Sequence, residues 1–121
     1  MRLTRRPDGG TPITNHASFS AAAYGPTSYK ASLTDSDVQA VVANALTSNA
    51  LQTDPKGVYF VLTSADVNES SGFCTQYCGW HTHANINGAD IKYAFVGNPD
   101  RCPSSCSAQT STESRFALNE T

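Results

Sequence analysis

The stretch VYFVLTSADVNESSGFCTQYC, from Val58 to Cys78, joins a run of β-branched and aromatic residues to a loop with two cysteines. The run Val58–Ser64 lacks polar alternation, which is typical of a strand covered on both faces. A second run of this kind, IKYAFVG, occupies Ile91–Gly97. It is also followed by a loop with two cysteines, Cys102 and Cys106. We therefore expect the two cysteine-bearing loops to lie close together in space.

The segment before these strands predicts an amphipathic helix. In SLTDSDVQAVVANALTSNAL, residues 32–51, Thr34 stands at an N-cap position and Asp37 completes a variant of the capping box. Apolar side chains then recur at helical spacing and share one face, namely Val38, Val41, Val42, Ala45 and Leu46. One helix leading into buried strands predicts an α/β or α+β fold with a layered core. Because two strands and one helix are few for an independent core, we expect an incomplete domain.

The composition excludes several function classes. The chain has 121 residues, a formal net charge of -2 and 15% charged residues, so it lacks the cationic field that would hold a phosphate backbone. The basic cluster Arg2, Arg5 and Arg6 is interpreted as part of a chain terminus without a function. No apolar run reaches the roughly 18 residues of a membrane-spanning helix, and no secretory signal peptide is recognisable. We predict no nucleic-acid partner and no membrane span.

The cysteines admit three chemistries. A zinc site, a thiol nucleophile and a pair of disulfides could each use Cys74, Cys78, Cys102 and Cys106. The even number of cysteines and the Ser- and Thr-rich surroundings favour disulfides. Three connectivities are possible, and we favour bridges between the two loops, Cys78 to Cys102 and Cys74 to Cys106. A bridge between the loops restricts the unfolded chain more than a bridge within one loop.

Two sequons agree with an oxidising, secretory setting. NES at Asn68 and NET at Asn119 make these residues candidates for N-glycosylation.

Trp80, His81 and His83 follow the first cysteine pair and are candidate ligand contacts. The histidines alternate, so in an extended segment they would point the same way, as two ligands of one metal would. No third acidic or histidine partner lies at a recognisable spacing. We therefore expect His81 to pack beside Trp80 under the disulfides and His83 to be a solvent-facing loop residue. No catalytic residue, metal or cofactor is assigned.

Three segments in this order resemble the EXORDIUM or phosphate-induced family of secreted plant proteins: GVYFVLTSADV, GFCTQYCGWH and YAFVGNPDRCPSSC. The resemblance runs from about Tyr29 to Cys106. It implies an extracellular location in the apoplast or cell wall and a role in growth promotion or signalling. It also implies an unidentified cell-wall or cell-surface partner and no established enzymatic reaction.

Members of this family begin with a signal peptide and continue well past the second cysteine loop. We therefore expect a truncated or rearranged member, with an irregular tail over residues 1–28, an EXORDIUM-like partial domain over 29–106 and a divergent C-terminal tail over 107–121. Two other functions stay open. One is a remnant of a zincin-like metal-dependent hydrolase that lacks its catalytic helix. The other is a cell-wall carbohydrate-binding module that uses Trp80, Tyr77 and Tyr93.

Overall fold

The computed structural model describes residues 18–23 and 31–108. Its elements are β1 (Ser32–Leu33), α1 (Asp35–Thr47), β2 (Val58–Leu62), β3 (Asn68–Glu69), β4 (Gly79–Ile86), β5 (Ala89–Val96), a 3₁₀ turn (Pro99–Arg101) and α2 (Pro103–Cys106). The strands form a three-stranded sheet in the order β2-β5-β4 and a separate parallel pair, β1 with β3. This mixture confirms the α+β form of the predicted fold. Within the described ranges, no helix has the length and apolar character needed to cross a membrane.

The predicted helix is α1, and its start is the predicted capping box. The backbone N–H of Asp37 donates to Thr34 Oγ1 at 3.1 Å, and the backbone N–H of Thr34 donates to Asp37 Oδ2 at 2.9 Å. These two bonds satisfy donors that the first turn of a helix leaves open. The buried face of α1 consists of Val38, Val42 and Leu46.

The three-stranded sheet is built around β5, which runs parallel to β2 and antiparallel to β4. Ile91 and Phe95 on β5 are fully buried in the core that also contains the apolar face of α1. Val61 on β2 lies opposite Phe95 and faces the same side. One face of the sheet thus packs against the helix.

The prediction that β2 is covered on both faces is wrong for the outer face of the sheet. Phe60 is 44% exposed and Leu62 is 71% exposed, and Val96 on the neighbouring strand is 41% exposed. These side chains alternate with the inward-facing Val61 and Phe95, so they lie on the outer face. Among the described residues, α1 supplies the helical layer on one face, and no second helix covers the other.

A third strand, β4, was not anticipated, because Gly79 to His83 was interpreted as part of a loop. It joins β5 through Asn87 and Gly88, whose φ angles are 54° and 85°. Positive φ at both central residues is the conformation of a type I′ turn, for which Asn-Gly is a preferred sequence. The Asn87-Gly88 dipeptide is therefore a hairpin signal that can be read from the sequence.

Candidate functional site

The two cysteine-bearing loops are joined by two disulfides, Cys74–Cys102 and Cys78–Cys106. The expectation that bridges connect the loops is confirmed, but the favoured pairing is wrong. Loop entropy could not separate the two pairings, because it varies only with the logarithm of loop length. In the folded chain the Cα atoms of the bridged residues are 5.9 Å apart for Cys74–Cys102 and 5.4 Å apart for Cys78–Cys106. Gly97 N–H donates to the carbonyl of Cys78 at 3.2 Å, which places Cys78 beside the end of β5.

Beside the first cysteine loop lies a buried carboxylate, Glu69, which is 1% exposed. Its Oε2 accepts hydrogen bonds from Trp80 Nε1 at 2.8 Å and from the Tyr77 hydroxyl at 2.6 Å. Ser71 contributes its hydroxyl, 2.9 Å from Oε2, and its backbone N–H, 3.2 Å from Oε1. Glu69 therefore ties β3 to the cysteine loop and to β4.

A second carboxyl group, Asp35 in the first turn of α1, joins this cluster. Its Oδ1 lies 2.8 Å from the Ser71 hydroxyl. A hydrogen bond with Glu69 is the main cause that raises the pKa of Asp35. Burial alone would raise the pKa of Glu69, but its hydrogen bonds outweigh burial and lower that pKa to about 2. When the pair holds one proton, the proton therefore belongs to Asp35.

We call the cluster around Glu69 the polar centre, and it consists of Asp35, Glu69, Ser71, Tyr77 and Trp80. The middle of the polar centre is closed to large ligands. A reacting substrate would have to displace internal donors to reach the Glu69 carboxylate, because that side chain is almost fully buried. Each displaced donor would lose a charge-assisted hydrogen bond. We therefore interpret the polar centre as a structural element that fixes the position of the cysteine loop.

The aromatic residues of the carbohydrate-binding alternative do not meet at an exposed surface. Tyr93 is buried, and its hydroxyl lies 3.3 Å from Gln39 Oε1 on α1. The rings of Trp80 and Tyr93 are in edge contact with centroids 5.9 Å apart. Tyr77 and Trp80 are half-buried and direct their polar atoms to Glu69. Trp80 thus anchors the first cysteine loop through its bond to Glu69.

His81 and His83 both lie on β4 and are exposed on the outer face of the sheet. The expectation that His81 packs under the disulfides is wrong, because strand alternation turns Trp80 inward and His81 outward. His83 is solvent-facing as expected, but it belongs to a strand and not to a loop. Its Nδ1 lies 2.8 Å from Asp90 Oδ1, a partner that the β4–β5 hairpin supplies.

These histidines and Asp90 do not form a compact ligand set. Within the part of the chain that the structure describes, the group whose ligand atoms all lie within 4.8 Å of one another consists of Cys74, Cys102 and Cys106. These cysteines are engaged in disulfides. Trp80, His81 and His83 remain candidate ligand contacts.

A shallow depression of about 710 Å³ lies on the outer side of the sheet. We call its outward-facing part the open sheet face, and it consists of Val58, Phe60, His81, His83, Lys92, Ala94 and Val96. The central strand β5 contributes Lys92, Ala94 and Val96 to its middle. The apolar side chains of β2 lie on one side of β5 and the two imidazoles of β4 lie on the other. Lys92 is held in place by Asp90 Oδ2 at 3.1 Å and by the carbonyl of Pro55 at 2.9 Å. This surface can offer apolar contact and hydrogen bonding to the same ligand.

The glycosylation candidates are placed unequally. Asn68 lies in β3 and is half-buried, with its backbone N–H donating to the carbonyl of Ala31 at 2.9 Å. Asn119 lies outside the described residues.

Comparison with known proteins shows which family this chain resembles. The family model described as the phosphate-induced protein 1 conserved region matches residues 12–112. Protein EXORDIUM-like 3 of Arabidopsis thaliana is 41% identical over 85 residues, an alignment that covers 65% of this chain and 25% of that protein. The chain thus spans about a quarter of the length of this curated relative. No solved structure matches significantly. Since the family model covers most of the sequence, the chain belongs to the phosphate-induced protein 1 family.

Proposed function

We propose that this chain is an extracellular protein of the EXORDIUM type that acts by binding in the apoplast or cell wall, in growth promotion or signalling, and catalyses no reaction. The observation that carries the proposal is the pair of disulfides between the cysteine loops of a member of this family. Such bridges form and persist in oxidising compartments such as the extracellular space. The sequons at Asn68 and Asn119 support the same location.

The open sheet face is the proposed binding surface. The exposed part of Phe60 gives apolar contact area, and His81 and His83 supply hydrogen-bonding groups on the same side of the sheet. An aromatic ring and polar groups on the same face of a sheet suit a ligand with both apolar and hydroxyl surfaces, such as a wall polymer. No specific observation favours the hydrolase alternative, and the aromatic residues of the original carbohydrate-binding alternative face inward.

The location is tested by expressing the epitope-tagged full reading frame in plant cells and separating apoplastic wash fluid from cytosol. We expect the protein in the wash fluid, with its cysteines blocked against a maleimide reagent until a reductant is added. Deglycosylation should also increase its gel mobility. Recovery of the protein only from the cytosol, with four reactive thiols, would refute the proposal.

The binding surface is tested with isolated cell walls and the purified chain. Phe60→Ser combined with His81→Ser should lower the bound fraction severalfold at unchanged secondary structure. Ala50→Ser, a change of an exposed residue after α1, is the matched control and should bind as the unmodified chain does. Equal retention of all three proteins would rule out the open sheet face as the binding surface.

A further inference from the structure

The strand β2 lies at one edge of the three-stranded sheet, since the strand order is β2-β5-β4. In residues 18–23 and 31–108, no strand pairs with the side of β2 that faces away from β5, and no backbone hydrogen bond reaches β2 from outside the sheet. A strand that is paired on one side directs alternate N–H and C=O groups away from its partner. Within this part of the chain, β2 therefore offers unpaired backbone groups along its outer edge.

The two edges of the sheet differ in composition. β2 has the sequence VYFVL and contains no charged residue, proline or glycine. β4, at the other edge, has the sequence GWHTHANI and exposes His81, Thr82 and His83. Charged side chains discourage the pairing of one sheet edge with another, whereas an exposed apolar edge strand favours it. Of the two edges, β2 is therefore the one suited to receive another strand.

The sequence of β2 is self-complementary about Phe60. In an antiparallel pair centred on this residue, Phe60 faces Phe60 of the second copy, and Val58 faces Leu62 of the second copy. On the helix side of the sheet, Tyr59 faces Val61 of the second copy. Pairs of aromatic and β-branched residues stabilise neighbouring strands. Phe60 and Leu62, which are 44% and 71% exposed, would lose contact with water in this arrangement.

The charges beside the two ends of β2 are complementary in the same arrangement. Lys56 precedes β2, Asp66 follows it, and both are exposed. Antiparallel pairing brings the start of one β2 to the end of the other, so Lys56 lies at the same end as Asp66 of the second copy. Asp54 and Arg101 complement each other in the same way, since Arg101 is bonded to the carbonyl of Ala65 after β2. Each end thus offers an acidic and a basic side chain to the other copy.

We propose that the outer edge of β2 pairs antiparallel with the same edge of a second copy of this chain, about a two-fold axis at Phe60. The two three-stranded sheets then form one continuous sheet, and the open sheet faces of both copies lie side by side. Because β2 has only five residues, the interface is small and the dimer is transient. The pairing needs no cell-wall material and is independent of the proposed wall binding.

The test measures self-association of the full 121-residue oxidised chain in buffer by sedimentation velocity, at about 5 to 500 µM. We expect a dimer whose fraction rises with concentration. Val58→Lys with Leu62→Lys places like charges opposite each other, so it should weaken association by about 10-fold. Val58→Glu with Leu62→Lys places opposite charges there and should associate about as strongly as the unmodified chain.

The matched control is His81→Asn with His83→Asn on the other edge of the sheet, which should leave association unchanged. Trp80 fluorescence shows whether each variant keeps its fold. The proposal is refuted if the unmodified chain stays monomeric over the whole range, or if the two lysines leave association unchanged. It is also refuted if the variant with glutamate and lysine associates no better than the variant with two lysines.

Hydrogen exchange of the unmodified chain gives a test that needs no variant. Some backbone amides of β2 should exchange severalfold more slowly at the highest concentration than at the lowest, because the second copy accepts their hydrogen bonds. The amides of β4 should exchange equally at both concentrations. Exchange of the β2 amides that does not depend on concentration would overturn the proposed pairing.

Discussion

Trp80 donates a hydrogen bond of 2.8 Å from its indole nitrogen to Oε2 of Glu69, and Glu69 is 1% exposed. The only tryptophan of the chain is thereby bonded to a buried carboxylate. This bond makes the fluorescence of Trp80 a direct report on the polar centre.

Replacement of Glu69 should destabilise the chain strongly. Glu69→Gln keeps the size of the side chain but places an amide N–H₂ group among the donors of Tyr77 and Trp80. We expect the free energy of unfolding to fall by about 3 kcal/mol, because buried donors lose their charged acceptor. Urea unfolding followed by Trp80 fluorescence measures this loss. Lys56→Ala, a change at an exposed turn, is the control, and an equal midpoint for the two variants would contradict the prediction.

Glu69 also makes the free energy of unfolding depend on pH. The pKa of Glu69 is lowered from 4.5 to about 2 by its hydrogen bonds, which outweigh burial. The unfolded state therefore binds more protons between these values, so the stabilising contribution is present above pH 4.5 and is lost as the pH falls towards 2. The raised pKa of Asp35 acts in the opposite sense and reduces the net loss.

We expect the free energy of unfolding to decrease on acidification below pH 4.5 and to decrease less steeply in Glu69→Gln. Urea titrations at a series of pH values measure both slopes. The slopes would be equal if Glu69 had the same pKa in the folded and unfolded states, and this outcome would refute the assignment.

Two phenylalanines on neighbouring strands should respond differently to truncation. Phe95 is fully buried on the helix side of the sheet, so Phe95→Ala should lower the free energy of unfolding by about 4 kcal/mol. Phe60 is 44% exposed on the open sheet face, so Phe60→Ala should lower the free energy of unfolding by only about 1 kcal/mol. Denaturant unfolding of both variants makes the comparison. Equal losses would mean that the outer face is covered in solution.

Two glycines offer a second matched pair. A Cβ at Gly97 would collide with the ring of Phe73, whereas a Cβ at Gly88 would meet no atom within 4 Å. Gly88 has a φ of 85°, so Gly88→Ala should cost only about 1 kcal/mol of backbone strain. Gly97→Ala should shift the thermal midpoint much further, because Phe73 must leave its place against Phe95. The opposite order of the two midpoints would disprove this packing.

Local signals explain which parts of the fold could be predicted. Thr34 and Asp37 identified the start of α1 because capping depends on neighbours in sequence. The two apolar runs predicted β2 and β5, but they did not indicate that one face of β2 is open. Whether a face is covered depends on what packs on it, which the pattern of a single strand does not contain.

The polar centre was missed because nothing local distinguishes Glu69. It is the middle residue of the sequon NES, and a charged residue within a sequon suggests a surface loop. Its partners Tyr77 and Trp80 reach it only after the chain folds back on itself. The disulfide pairing and the contact of His83 with Asp90 depend in the same way on tertiary geometry. The Asn87-Gly88 turn, in contrast, was readable and would have placed Asp90 opposite β4.

The disulfides enclose the β4–β5 hairpin in two overlapping covalent rings, since each bridge spans 28 positions and both spans contain Asn87 and Gly88. A protease that cuts the exposed hairpin turn would therefore release no fragment from the oxidised chain. The cut ends would stay attached through both bridges, and β4 would keep its place beside β5. Only a cut combined with reduction would separate the two pieces.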